Sequence, residues 1–68
     1  MRYAVVIEIS GTGYGAYVLD LPGCVAVGET IEETSRSIKE AIEFHLEGMR
    51  EDGMAPPKPT SVADYVEV

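Results

Sequence analysis

From Thr30 to Gly53 the chain carries one unbroken helical repeat, about a third of its 68 residues. Ile31, Ser35, Ile38, Ala41, Ile42, Leu46 and Met49 recur at three- and four-residue steps. That is the stripe of a long amphipathic helix. Thr30 can cap the first amides while Glu33 reaches back, a capping box. Glu32 and Glu33 suit the positive end of the helix dipole. Gly53 stands where a C′ glycine ends a helix. Residues 31–51 then span about 31 Å at 1.5 Å per residue. One stripe of that length must be buried against an equally long layer, and the remaining residues must supply it.

They read as strands. In Met1–Ser10, Tyr3, Val5, Ile7 and Ile9 alternate onto one face, the period of a strand. Ala4 and Val6 on the other face suggest cover by a neighbouring subunit. Gly11–Gly15 lacks the spacing and the following helix of a dinucleotide loop, and reads as a hairpin loop. Ala16–Asp20 is a second strand, broken by Pro22 and Gly23. Cys24–Val27 is a third, ended by Gly28. Met54–Pro59 cannot be helical, because its prolines favour an extended path. In Ser61–Val68, Val66 and Val68 bracket Glu67, which predicts a turn near 61 and a short last strand. The expected fold is α+β: a β-β-β-α-β two-layer sandwich with a mostly antiparallel sheet, one domain over residues 1–68.

Twelve acids against five bases leave a formal charge of −7. Such a chain is a poor ligand for nucleic acid, since phosphate binding needs Lys and Arg. Its longest charge-free apolar runs are strand-sized, so no membrane span is expected. No secretion signal opens it and one cysteine cannot form an internal disulfide, which fits the cytoplasm. A core this small leaves little net stability. Self-association is the expected remedy, as a homodimer or a dimer of dimers.

Catalytic chemistry has little support. His45 stands alone within the apolar stripe and reads as a packing residue. Glu8 and Asp20 are strand acids with no dense carboxylate cluster around them. Cys24 lacks partner spacing for zinc and reads as a small core residue. We expect no catalytic residue, no cofactor and no metal site. The solvent face of the helix, with Glu32, Arg36, Glu40, Glu43 and Glu47, is a candidate partner-binding surface. Phe44 lies off the apolar stripe beside Ser37, Ala41 and Gly48. With Tyr65 and Val66 on the unpaired last strand it is a candidate oligomer contact.

Taken in order, Tyr17–Cys24 followed by Val27–Glu33, then Ile42–Met49 and Glu51–Pro59, resemble the signature of the HicB antitoxin family. Its form is an aromatic strand, an Asp-Leu-Pro-Gly-Cys turn and a Gly-Asp/Glu-Thr helix start, here Asp20, Pro22, Gly23, Cys24, Thr30 and Glu33. The resemblance implies a degraded RNase H-like fold without catalytic activity. It also implies a partner, a small HicA-like toxin that cleaves mRNA and whose RNA site the antitoxin covers. Many members carry a further DNA-binding segment. No second amphipathic helix or basic cluster is present here, so no DNA-binding domain is expected in these residues. An orphan acidic interaction module of the same fold, without a cognate toxin, is the alternative. The Asp20–Cys24 motif itself has a structural explanation: Pro22 and Gly23 make the turn, Asp20 bonds local amides and Cys24 fills the space beneath.

Overall fold

A computed structural model describes residues 1–68. It contains β1 (Val5–Ser10), β2 (Gly13–Val18), β3 (Val25–Gly28) and the helix α1 (Ile31–Glu51). The strands form one antiparallel sheet in the order β1-β2-β3. Val5 lies opposite Val18 and Ile9 opposite Tyr14; Tyr17 lies opposite Val25. The helix packs over β3 and β2 and barely reaches β1. This is the expected α+β, two-layer arrangement.

The helix has the expected bounds. The Glu33 amide donates to Oγ1 of Thr30 at 3.0 Å. The return half of the capping box is shifted by one residue, since Oε2 of Glu33 accepts from the Glu29 amide at 3.4 Å. At the other end Gly53 N–H bonds the Arg50 carbonyl and Met54 N–H bonds the Met49 carbonyl, at 3.0 and 2.8 Å. That pair of bonds is a Schellman motif.

The stripe is rotated slightly from its expected position. Ile31 and Ser35 are exposed, whereas Thr34 is fully buried. The helix starts hard against the end of β3, where a Cβ on Gly28 would meet the Thr34 amide nitrogen at 2.8 Å. Only glycine allows this approach, and it turns Thr34 toward the sheet. Thr34 is tolerated there because its hydroxyl donates to the Thr30 carbonyl at 2.7 Å.

The hairpin loop is shorter than expected. Only Gly11 and Thr12 lie between the strands, and Gly13–Gly15 belong to β2. Gly11, with φ of 61°, holds the first loop position as in a type II′ turn.

Ala16, Val18, Leu21, Cys24, Ile38 and Leu46 form the buried core, flanked by Tyr3, Val5, Ile7 and Ile42. Ile9 escapes it and is 79% exposed, because the helix does not cover the hairpin end of β1. No helix is long and apolar enough to cross a membrane.

The expected last strand does not form: Ser61–Val68 contains no regular element. The segment still follows β1. Ser61 and Ala63 share a hollow with Arg2 and Ala4, and Tyr65 lies with Val5, Ile7 and Ile9. No backbone bond joins it to β1. Part of the reason is local, since the Tyr65 amide donates to the Asp64 carboxylate at 2.8 Å. Such a bond competes with a ladder.

Candidate partner-binding surface

Glu32, Arg36, Glu40, Glu43 and Glu47 are all exposed on α1. Steps of three and four residues hold them on the side opposite Ile38 and Leu46. From Glu32 to Glu47 this face runs about 22 Å along the axis. Four carboxylates and one guanidinium leave it strongly negative. A rigid row of carboxylates attracts Lys- and Arg-rich surfaces and can occupy the places that phosphates would take.

The turn from β2 to β3 fixes how this helix sits. Cys24 N–H donates to the Leu21 carbonyl at 3.1 Å, closing a four-residue turn. Pro22 at its second position and Gly23 at its third, with φ of 82°, make it type II. Leu21 and Cys24 are thereby directed into the core at 1% and 4% exposure. Cys24 therefore fills space as expected, and burial pushes its thiol pKa up.

Asp20 does something the motif alone does not reveal. It was expected to bond local amides, but its partners lie in the C-terminal segment. Thr60 and Ser61 amides both donate to Oδ2 at 2.9 Å, and the Ser61 hydroxyl donates to Oδ1 at 2.7 Å. The Ser61 amide is the largest of the causes that hold the Asp20 carboxyl below its usual range. The Tyr3 hydroxyl donates to the Pro57 carbonyl and pins the proline segment to the same end of the sheet. Residue spacing gave no sign of this clamp, because its two sides are 41 residues apart.

The two acids Glu8 and Asp20 do not come together. Glu8 is exposed on β1 opposite Gly15, away from Asp20 and its tail contacts. No three His, Cys, Asp or Glu side chains converge on a point. His45 is half-buried and shares a shallow cleft with Cys24, Phe44 and Met49.

The three candidate oligomer contacts are separated. Phe44, 79% exposed, stands at the β3 side of the helix with Val25 and Gly48. Tyr65 and Val66 are exposed in the tail, and Tyr65 lies on the β1 side. Sequence reading passed over the outer face of β2 and β3. There Tyr17, Val25 and Val27 are 41%, 64% and 76% exposed. The alternation of Val25 and Val27 is the signal that could have found it.

The sequence model of the HicB-like antitoxins of bacterial toxin–antitoxin systems matches residues 3–68. The chain belongs to that family. It is also 42% identical over 66 residues to a 14.9 kDa protein from the rep-hol intergenic region of Haemophilus phage HP1. That match covers 97% of this chain and 50% of the phage protein, so the chain spans about half of that relative. A UPF0150 protein of Helicobacter pylori is 46% identical over 55 residues, covering 81% of this chain and 76% of the relative. One from Archaeoglobus fulgidus is 41% identical over 58 residues, covering 78% and 81%. The motif residues Asp20, Pro22, Gly23 and Cys24 of this HicB-like chain build the type II turn and the tail clamp, both structural devices.

Proposed function

We propose that this HicB-like chain is the antitoxin of a type II toxin–antitoxin pair. In this reading it works in the cytoplasm, without catalysis or cofactor, by binding a HicA-like mRNA-cleaving toxin and covering its RNA site. The observation that carries the reading is the family match across residues 3–68. The helix face of Glu32, Arg36, Glu40, Glu43 and Glu47 supports it physically. A protein that grips mRNA needs basic groups at its site. A stiff negative helix competes for those groups and speeds encounter. The chain itself, at −7, is unsuited to binding nucleic acid. It acts as a homodimer or a dimer of dimers, as its small core favours.

The test is co-purification with the product of the adjacent small gene, followed by RNA cleavage by that product with and without the chain. A stable complex with suppressed cleavage is expected. No complex, or a complex that still cuts RNA, would overturn the proposal.

A further inference from the structure

The two edges of the sheet differ. The chain's own tail runs beside β1, where Tyr65, itself exposed, lines one hollow with Val5, Ile7 and Ile9. On the free side of β3 no backbone bond is made. The register shows which groups are left over. Val18 N–H bonds the Cys24 carbonyl, and Leu19 N–H bonds the Ala4 carbonyl. Bonded pairs alternate in an antiparallel ladder. Even-numbered residues of β2 therefore face β3, and Cys24, Ala26 and Gly28 use their polar groups on β2. Val25 and Val27 point both N–H and C=O outward, unpaired.

We propose that two copies of this chain pair antiparallel through β3, about a two-fold axis at Ala26, to make one continuous sheet. In that register Val25 of each copy exchanges both backbone bonds with Val27 of the other. All the outward groups of both residues are satisfied at once. Ala26 meets its own copy at the non-bonded position, where Cα atoms approach to about 4.5 Å, and its small side chain fits there. Val25 and Val27 side chains then form cross-strand pairs on the outer face, next to Tyr17.

Beneath the joint, the two helices run side by side. The helix flank toward β3 carries Ser37, Ala41, Phe44 and Gly48, and the last three share a cleft with Val25. Three small residues let neighbouring helices approach to the usual 8–10 Å. Phe44 supplies the large side chain that such a seam buries. A stable dimer takes roughly 800 Å² from each copy. The edge strand alone does not provide that; the joint adds the lateral sides of Val25 and Val27 and the helix seam around Phe44.

Charge selects a second copy over a basic partner. Leu21–Gly28 contains no charged residue in a chain of net charge −7. A cationic partner finds nothing to grip on that strand, whereas two acidic chains can meet along it; the one carboxylate lining the adjoining cleft is Asp52. The dimer does not rest on the toxin reading, and the following test uses the chain alone, so either can fail without the other.

Sedimentation equilibrium of the full chain should give a dimer at tens of micromolar, on the order of the strength a small interface allows. Val27→Pro removes an N–H that bonds nothing within one chain, so the fold survives as it does at other edge prolines. Its dimer dissociation constant should rise roughly 30- to 100-fold, as loss of one bond in each half implies. Ala26→Cys should form an Ala26-site disulfide between copies on mild oxidation, because that pair lies within bridging distance. If Val27→Pro unfolds, the cross-link decides. A monomer at 100-fold higher concentration, a folded Val27→Pro that still dimerises, or Ala26→Cys that fails to cross-link would each overturn the proposal.

Discussion

The Asp20 carboxylate holds the Ser61 backbone amide at 2.9 Å, joining the end of β2 to the C-terminal segment across 41 residues. The same oxygen takes the Thr60 amide, and the other takes the Ser61 hydroxyl. Asp20→Ala removes four acceptor contacts and gives the tail no replacement. Residues 60–63 should then lose protection in hydrogen exchange, while α1 keeps its own. Asp20→Asn, which retains one carbonyl acceptor, should fall between the two. Unchanged exchange in Asp20→Ala would mean that the proline segment and Tyr3 hold the tail unaided.

The same contact has a pH signature. Hydrogen bonds from Ser61 and Thr60 lower the folded pKa of Asp20. The unfolded carboxyl titrates at about 3.9. A group depressed on folding stabilises the native state above its unfolded pKa. That contribution is lost as pH falls through the folded value. Tail protection should therefore be flat from pH 7 down to about 4 and decline below that. Asp20→Asn should abolish the decline, which a titration of tail-amide exchange would detect.

Gly28 and Thr34 set the junction between sheet and helix. A Cβ at Gly28 would lie 2.5 Å from Thr34 Oγ1 and 2.8 Å from its amide nitrogen. The hydroxyl can move, but the backbone nitrogen cannot without shifting the helix. Gly28→Ala should cost about 1–3 kcal/mol, the range for overpacking. In a domain this small each kcal/mol lowers Tm by roughly 4–8 °C. Thermal unfolding by circular dichroism measures it, and an unchanged Tm would show that the helix start is free to shift.

These sites show what could and could not be read from the chain. The helix was legible to the residue because three local signals agree: Thr30 at one end, Gly53 at the other and the apolar period between them. The turn at Pro22 and Gly23 was legible for the same reason, since its chemistry is contained in four residues. The Asp20 clamp was not, because a hydrogen bond between distant residues leaves no periodic mark. The alternation of Val66 and Val68 about Glu67 predicts a short last strand, but alternation describes a face and not a partner. Thr34 was missed because a threonine breaks an apolar stripe on paper. In the fold its hydroxyl is satisfied by Thr30 and its remaining atoms pack like valine.

Thr30 itself should be worth measuring. Its hydroxyl oxygen accepts the Glu33 amide, and that bond is the main side-chain cap at this end. Thr30→Ala should destabilise the chain by about 1 kcal/mol, and Thr30→Ser by much less. Urea unfolding with an unchanged m-value would identify a stability effect rather than a change in the unfolded state.

The acidic helix face makes the last prediction. If Glu40, Glu43 and Glu47 steer a basic toxin, replacing all three by Gln should slow association more than it speeds dissociation. The three side chains are exposed, so each isolated contact contributes only about 0–1 kcal/mol. The triple variant should therefore bind roughly 10-fold more weakly at low salt, with a flatter dependence of association rate on ionic strength. Arg36→Gln makes the same face more negative and should shift the rate the other way. Stopped-flow or surface-based kinetics at two salt concentrations would separate these outcomes. Equal rates for all variants at low salt would move the toxin contact off this helix face and onto another part of the chain.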